Sequence, residues 1–101
     1  MSSELLKLAI LIPAYKIDFF EETLNSIARQ TNKNFKLYIG DDASPHNLAG
    51  IVRKFENKID IEYTRFQHNL GRRDLAAHWN RCIEPVIEEW VWLFSDDDLM
   101  D

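Results

Sequence analysis

The sequence predicts an α/β fold, a mostly parallel sheet of about four strands with helices on both faces. Two observations carry this. Short apolar runs of strand length alternate with segments whose apolar residues recur at helical spacing. The connections are long enough for right-handed crossovers between parallel strands. A third observation concerns function: the polar residues cluster just after the strands, where open α/β sheets bind their ligands.

Leu8-Ala9-Ile10-Leu11-Ile12 is a continuous apolar run stopped by Pro13, as suits a strand buried on both faces. Asp18, followed three residues later by Glu21, marks a helix start with Asp18 as N-cap. Phe20, Leu24, Ile27 and Ala28 give that helix its apolar face, and it should end near Gln30. Phe35 to Ile39 reads as a second strand, running into Gly40-Asp41-Asp42. Ser44-Pro45 suggests an N-cap with proline at the first helical position. Leu48, Ile51, Val52 and Phe55 form the second helical face.

Ile59 to Arg65 alternates apolar and polar residues, as a less buried edge strand does. Gln67 to Gly71 is a loop. Leu75, Trp79, Cys82, Ile83 and Val86 supply a third helical face, which Pro85 stops near Glu84. Trp90 to Phe94 is the fourth strand. No internal repeat, low-complexity segment or linker interrupts the 101 residues, which amount to one domain's worth of chain.

Composition narrows the function. Hydrophobic residues are 46% and charged residues 29%, a globular balance. A net charge of −5 argues against a general nucleic-acid binder. One cysteine, Cys82, excludes a disulfide framework and a cysteine zinc cluster. No apolar run approaches the about 18 residues of a membrane helix, and no basic region precedes the first apolar stretch, so a cytoplasmic setting is expected. All 12 Lys and Arg residues lie at or before Arg81. Residues 84–101 carry seven acids and no base.

Strand one ends in Pro13-Ala14-Tyr15, strand two in Asp41-Asp42-Ala43-Ser44 and strand four in Ser95-Asp96-Asp97-Asp98. An acidic pair in a loop can be only a turn former, and an acidic triplet only a solvated face. Their coincidence at one sheet edge favours a site. Clustered carboxylates need a cation or donors to balance them. Hard oxygen ligands suit Mg²⁺ or Mn²⁺, and these suit a phosphate-bearing ligand.

In these motifs the sequence resembles the N-terminal half of a family 2 glycosyltransferase with the GT-A fold. The resemblance rests on Pro13-Ala14-Tyr15, on Thr23-Leu24-Asn25-Ser26-Ile27-Ala28-Arg29-Gln30-Thr31, and on Asn34-Phe35. Asp41-Asp42-Ala43-Ser44, Asn69-Leu70-Gly71, a helix carrying Asn80 and the acids at 96–98 follow in the family's order. It covers residues 7–101. It implies a Rossmann-like sheet in the order 3-2-1-4 and a nucleotide-diphosphate sugar donor, usually UDP-linked. It implies that Pro13, Ala14 and Tyr15 frame the nucleotide and that either Asp41 or Asp42 accepts a hydrogen bond from the base. Asp96 would lie near the ribose, Asp97 with Asp98 would hold Mn²⁺ or Mg²⁺, and Arg72 or Arg73 would help hold the donor.

The family's acidic motif often reads Asp-x-Asp-Asp, whereas its first position here is Ser95. The family's general base and acceptor site lie beyond Asp101. The expectation is therefore a single truncated nucleotide-sugar-binding half, residues 1–101, that does not transfer sugar alone. In the full enzyme the transfer would invert at the sugar and reach a saccharide or lipid-linked acceptor, for polysaccharide synthesis at the inner face of the membrane. Strand four would be an exposed apolar edge, inviting a homodimer through 90–94. Two other classes compete. A nucleotidyltransferase would want a glycine-rich loop where Pro13-Ala14-Tyr15-Lys16 stands. A non-catalytic response or interaction module would want acids after strand one.

Overall fold

The structure is a computed structural model that describes residues 8–31 and 34–94. Seven elements follow in order: β1 (Leu8–Ala14), α1 (Phe20–Ala28), β2 (Phe35–Asp41), α2 (Leu48–Arg53), β3 (Ile61–Arg65), α3 (Leu75–Ile83) and β4 (Trp90–Leu93). The four strands form one sheet in the order β3-β2-β1-β4. Every neighbouring pair is parallel, with Leu8 opposite Phe35 and Trp90, and Leu37 opposite Ile61. The expected α/β class and 3-2-1-4 order both hold.

Alternation along the central strands divides the core in two. Ile10, Ile12, Ala14, Leu37 and Ile39 face α1 and α2, where they pack with Phe20, Leu24, Ile27, Leu48 and Val52. Burying each such large side chain stabilises the fold by about 1.5–3 kcal/mol. The other face is thinner. Ala9, Leu11 and Tyr38 meet Cys82 of α3, with Phe66 and Val86 partly buried beside them. Gly40 permits this contact, since a Cβ there would lie 2.3 Å from the Cys82 sulfur. Burial pushes the Cys82 thiol up to about 11.

Several boundaries differ from the sequence reading. Asp18 does not cap α1; Phe19 occupies the N-cap without a side-chain bond, and the helix stops at Ala28. Thr23 and Ser26 of the Thr-Leu-x-Ser motif are fully buried, and the Ser26 hydroxyl donates to the Thr23 carbonyl at 2.8 Å. Ser44 does not cap α2: its hydroxyl donates to the Tyr15 carbonyl at 2.6 Å and accepts from the His46 amide at 3.2 Å, in the loop before the helix. Asn47 caps instead, accepting from the Gly50 amide at 3.1 Å. Ile59 precedes β3 and donates its amide to the Phe55 carbonyl at 3.0 Å.

The largest correction is the buried face of α3. Leu75, Trp79 and Ile83 are exposed, whereas His78 and Cys82 are buried. The helix is held on this face by Cys82 against the sheet and by a polar contact described below. It ends at Ile83 with Glu84 as C-cap, one residue before Pro85, as expected.

Candidate functional site

Successive residues on a strand point to opposite faces, and this separates the acidic pair. Asp41 turns toward the α1/α2 side. It is fully buried. Its Oδ1 accepts from the Ser44 amide at 2.9 Å, its Oδ2 accepts from the Tyr63 hydroxyl, and Arg65 Nε stands 3.8 Å away. Burial and this carboxylate together hold the Tyr63 phenol far above its usual range.

Asp42 turns toward α3. Its Oδ1 accepts from the Leu70 amide at 2.7 Å and from Arg81 Nη2 at 2.6 Å. Its Oδ2 accepts from the Gly71 amide at 2.9 Å and from Asn69 Nδ2 at 3.1 Å. Gly71 is required at this approach: a Cβ on it would sit 2.6 Å from Asp42 Oδ2. The two carboxylates are therefore balanced by separate donor sets, not by each other's surroundings.

Between Asp42 and Ser44 the chain makes a sharp turn in which Ala43 takes a φ of 56°. A non-glycine residue in the left-handed region costs about 1–2 kcal/mol. Bonds on both sides hold it. The Asp42 amide donates to the Ala14 carbonyl at 2.8 Å, and the Phe66 amide to the Asp41 carbonyl at 2.9 Å. Arg65 Nη2 donates to the Ser44 carbonyl at 3.0 Å. The carboxyl ends of β1, β2 and β3 are thus stitched into one edge.

At that edge lies a cleft of about 250 Å³ lined by Pro13, Ala14, Tyr15, Lys16, Asp42, Asn69, Gly71, Arg72, Leu75 and His78. The Pro-Ala-Tyr turn, one of the two aspartates and the Asn-Leu-Gly loop meet there, as their positions in the sequence suggest. Asp41 lies behind the wall. Arg73 is exposed and does not line the cleft; Arg72 does. Asn80 is exposed on α3. Asp96, Asp97 and Asp98 lie outside the described residues. Among the described residues, no group of three or more His, Cys, Asp or Glu side chains could hold a metal ion. A larger groove of about 350 Å³ lies on the sheet face between β2, β3 and the end of α3, away from these motifs.

The sequence reading could assign His78 no partner and gave Arg81 no role. His78 is buried and lies 3.6 Å from Asp42 Oδ1. Its Nδ1 accepts from Arg81 Nε at 3.0 Å, and its ring meets Phe66 edge-on at 5.9 Å. Burial pushes its pKa below the ordinary histidine value, a shift that Asp42 opposes and Arg81 reinforces. The available signal was spacing: His78, Arg81 and Cys82 lie three and four residues apart, on one helix face. Among the described residues, no helix is long and apolar enough to cross a membrane.

Comparison with known proteins gives this edge a family. The chain is 36% identical over 73 residues to validoxylamine A glucosyltransferase of Streptomyces hygroscopicus subsp. limoneus, covering 69% of this chain and 16% of that protein. It is 40% identical over 92 residues to chondroitin synthase of Pasteurella multocida (strain Pm70), covering 89% of this chain and 9% of that one. The crystal structure of S. aureus TarS 1-349 in complex with UDP-GlcNAc superposes with a TM-score of 0.85 at 26% identity, covering 95% of this chain and 28% of that one. The chain thus spans a small part of these proteins' length, and its sheet is that of GT-A glycosyltransferases. The family model described as glycosyl transferase family 2 matches residues 9–101, and the chain belongs to that family.

Proposed function

We propose that the chain is the donor-binding half of a glycosyltransferase, and that the strand-end cleft receives the nucleotide of a UDP-sugar. The observation that carries this is the cleft itself. It joins the Pro13-Ala14-Tyr15 turn, Asp42 and the 69–72 loop at the carboxyl ends of parallel strands, where such sheets take ligands. The TarS structure with UDP-GlcNAc supports uracil as the base. The cleft's volume, about 250 Å³, lies just below the about 300–1,000 Å³ of complete ligand pockets, as suits a half-site.

A divalent cation belongs to the same proposal. Asp97 and Asp98 would hold Mn²⁺ or Mg²⁺, whose chemistry is Lewis-acid stabilisation of the leaving diphosphate, and Asp96 would serve the ribose. Phe94, two residues before Asp96, donates its amide to the Leu11 carbonyl at 2.8 Å. That bond brings the end of β4 beside β1, two residues short of Pro13. Inverting transfer also needs a base to take the acceptor's proton, which the rest of the enzyme would supply. The chain alone should therefore transfer no sugar. The acceptor, a saccharide or lipid-linked one, would be met by the rest of the enzyme on the cytoplasmic side, a place consistent with a single free, buried cysteine.

Calorimetric titration of UDP with Mn²⁺ tests the reading. Binding should be saturable, abolished by a chelator and weakened at least about tenfold by Asp97→Ala, the equivalent of about 1.4 kcal/mol. Matched titrations of GDP and dTDP should bind more weakly. Binding that ignores the metal would remove the cation from the proposal. Absence of binding by any of the three nucleotides would overturn the donor-site reading for this chain.

A further inference from the structure

We propose that Arg81 is the positioning residue of the cleft, acting on it through Asp42 and touching no nucleotide itself. The proposal rests on the donor-site reading above.

A carboxylate offers about four lone-pair sites. Asp42 has four donors on it, namely the Leu70 and Gly71 amides, Asn69 Nδ2 and Arg81 Nη2. With these filled from within the protein, Asp42 is an anchor for the 69–71 loop. Three of those bonds hold the loop, and that loop forms one wall of the cleft. The fourth, from Arg81, is the one made by a charged side chain. Asp42 is 4% exposed, and a buried carboxylate without a paired cation is costly.

The guanidinium is itself fixed on every side. Nη2 also donates to the His68 carbonyl at 3.0 Å, Nε donates to His78 Nδ1 at 3.0 Å, and the group lies over the Phe66 ring at 4.0 Å. A planar fork with donors at both ends can do this, whereas a lysine offers one point charge. Arg81 therefore ties four places together: the end of β2, the loop start at His68, the residue after β3, and α3. It is the polar contact that holds α3 on its His78 and Cys82 face. Leu75, Trp79 and Ile83 stay exposed, so the apolar packing of α3 is confined to Cys82, with Val86 beside it, and Arg81 supplies the polar hold next to them.

The test is a double-mutant cycle with two readouts: the dissociation constant for UDP with Mn²⁺, and hydrogen exchange at the Leu70 and Gly71 amides without nucleotide. Arg81→Ala should weaken UDP binding about tenfold or more, and Arg81→Lys by a smaller factor. The double variant Arg81→Ala with Asp42→Asn should bind no more weakly than Asp42→Asn alone. Exchange at Leu70 and Gly71 should quicken about tenfold in Arg81→Lys, while Ile10 and Leu11 in β1 keep their protection. Arg81→Lys retains the charge and guards against an alanine variant that fails to fold.

Multiplicative losses in the double variant would show that Arg81 acts independently of Asp42, and would overturn the proposal. So would unchanged exchange at Leu70 and Gly71, or exchange that quickens equally in β1, the sign of a purely structural role. A wild-type chain that binds no nucleotide would fail the donor-site reading. The exchange arm would still decide whether Arg81 holds the loop.

Discussion

Asp41 and Asp42 are adjacent in sequence, yet one faces Tyr63 and the other faces Arg81. The motif was legible as a place: it marks the end of β2 and one wall of the cleft. Its division into two separate jobs was not, although the alternation that causes it is a property of any strand. What hid the partners is chemistry, since histidine and arginine on a helix read as solvated groups until a buried carboxylate faces them. His78 offers a test at this scale. Its folded-state pKa lies below the unfolded value of 6.5, with burial the first cause. As pH falls below that value, the unfolded chain takes up a proton that the folded chain resists. Stability from this group is thus complete above about pH 6.5 and is lost as pH falls toward the folded pKa. The melting temperature by circular dichroism should drop from pH 7.5 to 5.5, and His78→Asn should flatten that part of the slope. An unchanged slope in the variant would show that other groups cause it.

Among the elements, the strands were more legible than the helix starts. The apolar run of residues 8–12 leaves little choice for β1, although the strand runs on through Pro13 to Ala14, paired with Gly40 and Asp41, and the alternation in β3 matches its half-exposed position. Helix caps were misplaced because Ser44 has a better partner in the Tyr15 carbonyl than in its own helix, a tertiary contact that local rules do not contain. The face of α3 was misread for the same reason. β4 was anticipated as an apolar edge, and all four of its residues are exposed, with Trp90 at 62%. In the sheet of described strands it pairs with β1 on one flank. Edges of this kind pair with other chains, so we expect concentration-dependent self-association through β4. Sedimentation velocity should show it, and Trp90→Lys should weaken it about tenfold. A sedimentation coefficient independent of concentration in the wild-type chain would count against it.

For the whole molecule, the two sides of the sheet are built differently. The α1/α2 side buries an extended apolar cluster, while the α3 side buries, among the described residues, an apolar cluster of four and relies on the Arg81–Asp42 pair. The alternation of elements made the layered architecture readable without any knowledge of this asymmetry. The asymmetry itself depends on Gly40 and on a partly buried ion pair, neither of which has a periodic signature. One consequence is optical. The chain's three tryptophans, Trp79, Trp90 and Trp92, are 37%, 62% and 47% exposed, whereas the α1/α2 core has phenylalanine as its aromatic residue. Indole emission should therefore already be red-shifted and readily quenched by acrylamide in the folded chain. Denaturant should move it little while the far-ultraviolet circular dichroism collapses. A blue shift would instead report a surface being covered, which makes the native fluorescence of this protein a gauge of what docks on α3 and β4, with the edge-on contact of Trp92 on Phe94 its link to the core.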